Sequence, residues 1–151
     1  EKIGLYLQHL IYNTVRPAGS GDLSSRWVLP DEILTLPPVP AGQAAEILNG
    51  WLAYYLIGQT RPLPFFPKTS LAAAQTLLSE SKKSEDEKLQ AARKAAATHY
   101  FGGKMNVGQA DYAEVALVFG KDETPPIESE LFWLLVENLL LPTLSALQEA
   151  V

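Results

Sequence analysis

Two short runs in this chain carry the residue types of a metal-dependent hydrolytic site. Glu80-Ser81-Lys82 and Asp86-Glu87-Lys88 each place a carboxylate two residues before a lysine. On a β-hairpin such a triplet can bind Mg²⁺ through the carboxylate and help orient a water through the lysine. Both triplets lie instead in a charged, helix-forming region without flanking β-branched residues. Metal chemistry needs rigidly placed ligands, so neither triplet is expected to be catalytic. Gly102-Gly103-Lys104-Met105 fails as a phosphate loop, because Met105 stands where Ser or Thr should follow the lysine and the upstream glycine spacing is wrong. His9 and His99 are far apart and lack the acidic spacing of a zinc site. His9 reads as a helix histidine bonding a backbone carbonyl, with a direct role as the alternative. Gln8 and Tyr12 sit one helical turn apart and, with His9, could form a polar helix network. No catalytic, cofactor-binding or metal-binding residue is assigned.

The composition bounds what else the chain can be. Its 151 residues, 47% of them hydrophobic, suit one domain (1–151) with a real core. The absence of cysteine excludes disulfides and thiolate chemistry and fits a reducing cytoplasm. Seventeen acidic against twelve basic residues give a net charge of −5. A free-standing nucleic-acid binder needs basic excess to neutralise phosphates, so any DNA contact is expected to be local or shared with other subunits. No apolar run approaches the roughly 20 residues that span a bilayer, and no membrane role is expected. The sequence starts at Glu1 inside a helical pattern, without initiator Met or signal sequence, and reads as a piece of a longer protein.

The elements that must position these residues are mostly helical. Ile3, Tyr6, Leu7, Leu10 and Ile11 mark one face of a helix over residues 1–15. Arg26–Leu29 and Ile33–Leu36 read as short strands joined by a Pro30-Asp31 turn, and Pro37-Pro38-Val39-Pro40 breaks any sheet. Residues 42–57 form the strongest amphipathic pattern, with Ala44, Ile47, Leu48, Trp51, Leu52 and Tyr55 on one stripe. Further helices are expected at about 70–79, from the Ser84/Glu87 capping box to about Tyr100, at 110–119, and from about 128 to 140, with Pro142 starting or kinking the last segment. Residues 80–88 carry mixed charge and read as a solvated junction rather than a domain boundary. The expected class is α+β, predominantly helical with a small β element.

Between two of these helices runs Gly58-Gln59-Thr60-Arg61-Pro62-Leu63-Pro64-Phe65-Phe66-Pro67-Lys68-Thr69-Ser70. Gly58 can close the preceding helix in a left-handed conformation, and Thr69 or Ser70 can cap the next. Pro62, Pro64 and Pro67 hold the strap extended. A flexible linker would be rich in Gly and Ser and would not expose Leu63, Phe65 and Phe66 to water. These side chains, with Pro64, Trp51 and Tyr55, are the candidate structural or subunit-interface residues.

The order of these features resembles the C-terminal region of the RecC family, the gamma subunit of bacterial exodeoxyribonuclease V. The resemblance runs through His9-Leu10, Pro37-Pro38, Tyr55-x-x-Gly58 and the Pro-Leu-Pro-Phe-x-Pro-Lys strap. It continues through Gly108-Gln109-Ala110-Asp111-Tyr112, Leu117–Gly120 and Phe132–Leu144. Tyr6 replaces the family's Trp before His9, Gln109 its usual acidic residue, and no Arg follows Phe119. The resemblance implies the C-terminal part of a degenerate PD-(D/E)xK nuclease-like domain that has lost its catalytic residues. It further implies RecB-like and RecD-like partners, contact with DNA through the full complex, and a cytoplasmic setting. Gln8 and Tyr12 also match the Q-x-x-x-Y spacing of RecB-type nucleases, so a RecB-family fragment without its metal-binding strands is the alternative. An unrelated helical adaptor is the third reading.

Overall fold

The computed structural model describes residues 2–17, 19, 21, 23–30, 33–79, 84–103, 106–120 and 124–148. The chain divides into two compact units, one of residues 1–57 with 143–151 and the other of residues 58–142. Helices dominate both, and among the described residues the β structure is confined to two antiparallel pairs.

The first unit is built on α1 (Lys2–Val15), the hairpin of β1 (Ser25–Val28) and β2 (Ile33–Leu36), and α2 (Ala41–Gly58). The strand register pairs Trp27 with Leu34 and Val28 with Ile33. Alternation then decides the faces: Leu34 and Leu36 point inward, while Val28 and Ile33 are exposed. Tyr6 and Leu10 of α1, both leucines of β2, Ala44 of α2 and Leu147 near the end of the chain form one core, with Trp27, Ile47 and Leu48 packed at its margin. The long stripe on α2 is buried less than its pattern predicts. Only Ala44 is fully buried, while Leu52, Tyr55 and Leu56 are more than half exposed. The first unit's core ends near Leu48, so the stripe runs on past it.

The second unit begins with the proline strap and continues into α3 (Pro67–Ser79), α4 (Glu85–Phe101) and α5 (Ala113–Phe119). α3 starts three residues earlier than the sequence suggests. Pro67 supplies the fixed φ of a first helical residue, and the Ser70 hydroxyl turns back to accept the Phe66 N–H at 3.1 Å. Gly58 ends α2 without the left-handed backbone expected of it. α3 and α4 pack together, with Ala73 and Ala74 on the first and Ala92 and Ala96 on the second all buried. Such small side chains let helix backbones approach closely. The capping box forms as its spacing requires: Ser84 Oγ accepts the Glu87 N–H, and Glu87 Oε2 accepts the Ser84 N–H at 2.9 Å.

Gly102 ends α4 at φ 73° and opens a tight antiparallel pair, β3 (Gly102–Gly103) with β4 (Asn106–Val107). A Cβ on Gly102 would lie 2.4 Å from the Gly108 nitrogen, and one on Gly108 would lie 2.4 Å from the Tyr100 oxygen. The turn therefore closes only with glycine at both positions.

A last helical run comprises α6 (Glu130–Leu135), a π turn (Val136–Leu140) and α7 (Leu141–Gln148). The Leu141 N–H bonds the Val136 oxygen, one residue further back than in an α-helix. This wide turn directly precedes Pro142, which has no N–H to give, and the helix continues through it. Because it does, Glu130–Gln148 becomes long and apolar enough by length and composition to cross a membrane, contrary to the expectation from the sequence. Phe132, Leu135, Val136, Leu139 and Leu140 are nevertheless buried, as in a core helix. The triplet Glu80-Ser81-Lys82 and the pair Lys104-Met105 lie outside the described residues.

Candidate functional site

His9 is 1% exposed at the centre of a polar node in the first unit. Its Nε2 lies 2.9 Å from the Pro37 carbonyl, which can only accept, so Nε2 carries the proton. Nδ1 is then the acceptor for the Ser25 hydroxyl at 2.7 Å. One turn on, Asn13 is equally buried. Its amide nitrogen donates to the His9 carbonyl at 2.9 Å and to the Leu23 carbonyl at 3.3 Å. Its Oδ1 accepts the Val39 N–H at 3.0 Å. Two side chains of α1 thus hold the approach to the hairpin, its first strand and the proline segment after it. The cause is legible in the chain, because prolines at 37, 38 and 40 cannot donate to a ladder and leave carbonyls seeking partners. Burial pushes the His9 pKa down, against the opposing effect of the hydrogen bond to Pro37. Burial likewise pushes the Tyr6 hydroxyl up.

Gln8 and Tyr12 lie on the exposed side of the same helix. Tyr12 pairs with Arg16, whose guanidinium sits 4.7 Å from its ring centroid and donates to its hydroxyl. The bonds of His9 run to Asn13, Ser25 and Pro37. Asn13 and Ser25 were not singled out by sequence. The His9-x-x-x-Asn13 spacing, one turn apart on a helix facing a proline run, is the signal that could have found Asn13.

In the second unit the strap delivers Phe66 into an aromatic cluster. Its ring lies 5.1 Å from Tyr100, 5.4 Å from Phe119 and 6.5 Å from Phe132, joining α3, α4, α5 and α6. Phe66 is 3% exposed and Pro64 is buried, while Leu63 and Phe65 are half-buried. A hydrogen bond from the Phe65 N–H to the Leu63 carbonyl, 2.8 Å, folds the strap tightly about Pro64. Behind it, Gln109 Oε1 accepts both the Thr69 N–H at 2.7 Å and the Thr69 hydroxyl at 2.8 Å. A residue forty positions away thereby caps the first turn of α3, which Thr69 and Ser70 were expected to cap themselves. Tyr112 hydroxyl accepts from Lys68 at 3.3 Å. Trp51 and Tyr55 lie on α2, in the first unit; Trp51 is half-buried and Tyr55 is 62% exposed.

Asp86-Glu87-Lys88 sits in the first turn of α4, where Glu87 is occupied as a cap. Among the described residues, no group of three His, Cys, Asp or Glu side chains is placed to hold a metal ion.

The family model of the RecC C-terminal domain matches residues 1–78. The chain belongs to this family. The match takes in the His9 node, the hairpin, α2 and the strap of the RecC C-terminal domain, and stops at the end of α3. Gly108–Tyr112 and Phe132–Leu144 lie beyond it. No curated protein matches the chain.

Proposed function

We propose that the chain is a non-catalytic structural and interaction domain of the RecC subunit of exodeoxyribonuclease V. The family match over residues 1–78 carries this reading. On this reading the chain works within the helicase–nuclease complex that processes double-strand DNA ends in recombination and repair, in the cytoplasm. Its partners there are RecB-like and RecD-like subunits, and it meets DNA through the full complex. The finer fold reading is the C-terminal part of a degenerate PD-(D/E)xK nuclease-like domain. A helix followed by a short antiparallel pair supports that reading. So does the helical setting of Asp86-Glu87-Lys88, which separates it from the hairpin geometry of a working triplet.

One surface proposed for a sister subunit is the exposed stretch of α2 at Leu52, Tyr55 and Leu56; the half-buried Phe65 of the strap is a separate candidate contact in the second unit. Large aromatic side chains on a rigid frame contribute most at the centre of such contacts. The reading is tested by pull-down of the chain with RecB-like and RecD-like subunits, comparing the native sequence with Tyr55→Ala and Phe65→Ala. Retention by at least one subunit, weakened in each variant at a temperature where that variant is still folded, is the expected result. Equal retention of all three would remove the proposed surface.

A further inference from the structure

The His9 node joins three separate stretches of the first unit through a neutral imidazole. Nε2–H donates to Pro37 while Nδ1 accepts from Ser25, so both ring nitrogens are in use. A second proton on Nδ1 would oblige the Ser25 hydroxyl to reverse from donor to acceptor. It would also place a full charge on a ring that is 1% exposed. Among the described residues, the groups facing the ring are neutral: Asn13 from its own helix, Ser25 and the Trp27 ring, its centroid 6.3 Å away, from β1, and the Pro37 carbonyl from the segment after β2. Arg26 lies on the outer face of β1, Glu46 is exposed on α2, and Arg16 is engaged with Tyr12. Asp22, Asp31 and Glu32 lie outside the described residues. An uncompensated buried charge is expensive.

We propose that His9 is an acid-releasable clasp: neutral, it ties α1 to the hairpin and to Pro37–Val39, and on protonation it lets that edge of the first unit open locally. Local opening is available because the segment from Pro37 to Pro40 has no ladder bonds, and Val39 hangs on Asn13 by one hydrogen bond. The sign follows from linkage. The folded state holds the ring neutral, so the clasp is fully closed above the ordinary imidazole value of about 6.5 and loosens as pH falls below it.

The test is hydrogen exchange of the chain between pH 7.5 and 5, expressed as protection relative to unstructured peptide, together with the ring titration of His9 by NMR. Protection of the Val39 amide and of the β1–β2 amides falls by up to about tenfold per pH unit between the ordinary imidazole value and the lower His9 midpoint, and levels off below that midpoint, while amides of α4 keep theirs. His9→Gln retains one donor and one acceptor without titrating, and its protection is then independent of pH. Should that variant not fold, the native chain still decides through the contrast between Val39 and α4. Constant protection at Val39, an equal fall in both units, persistence of the pH effect in His9→Gln, or a His9 midpoint above the ordinary imidazole value would each overturn the proposal. The last would mean that a carboxylate takes up the charge.

Discussion

At the scale of single residues, Phe66 carries the most. Its ring bridges Tyr100, Phe119 and Phe132, so its removal opens a cavity among three helices that meet there. Phe66→Ala should destabilise the second unit by about 3–5 kcal/mol, read by chemical denaturation, and Phe65→Ala by clearly less. Gln109 acts by hydrogen bonding instead. Gln109→Ala leaves the buried Thr69 N–H without its acceptor and should cost about 1–3 kcal/mol. Thr143 runs the other way. Its hydroxyl is buried with no hydrogen-bond partner among the described residues, so Thr143→Val, which keeps the shape and deletes the orphan, should leave stability unchanged or raise it by up to about 1 kcal/mol. Of these, Phe66 was legible as a candidate packing side chain, because a flexible linker would be rich in Gly and Ser and would not spend aromatic rings on water. Gln109 was not legible, since nothing local reveals a cap forty residues distant.

At the scale of elements, local signals translated well and long-range ones did not. The Ser84/Glu87 box, the two strands and the Pro-rich break after Leu36 are set by neighbours within four residues, and all appear close to where the sequence places them. The stripe on α2 was legible as a helix but not in its burial, because periodicity records an apolar face without saying whether the same chain covers it. The start of α3 was misplaced for a related reason: Thr69 and Ser70 look like caps, yet Pro67 pre-forms the turn and Gln109 supplies the acceptor. The glycine turn after α4 gives a sharp element-scale test. Gly102→Ala or Gly108→Ala drives a Cβ into backbone at 2.4 Å, whereas one at Gly103 meets nothing within 4 Å. Thermal melts should therefore fall strongly for the first two variants and scarcely for Gly103→Ala. Comparable melting of all three would mean the turn adopts another conformation.

At the scale of the whole molecule, the role proposed for this RecC C-terminal domain is assembly rather than cleavage. The net charge of −5 predicts weak, non-selective binding of duplex DNA by the chain alone at about 150 mM salt, because little counterion is released. Filter binding that is tight and sequence-selective under those conditions would contradict it. What sequence could convey at this scale was the collinear order of His9-Leu10, Pro37-Pro38 and the strap, all inside the matched residues 1–78. The division into two compact units was not legible, because it depends on which helices share a core, and 143–148 join the first unit from the far end of the chain. The central claim is best tested by mixing the chain with RecB-like and RecD-like subunits and linear DNA in Mg²⁺, then following co-elution and DNA length together. The account predicts co-elution with at least one subunit, and intact DNA when the chain is incubated alone. Cleavage by the chain alone, or elution apart from both subunits, would contradict it.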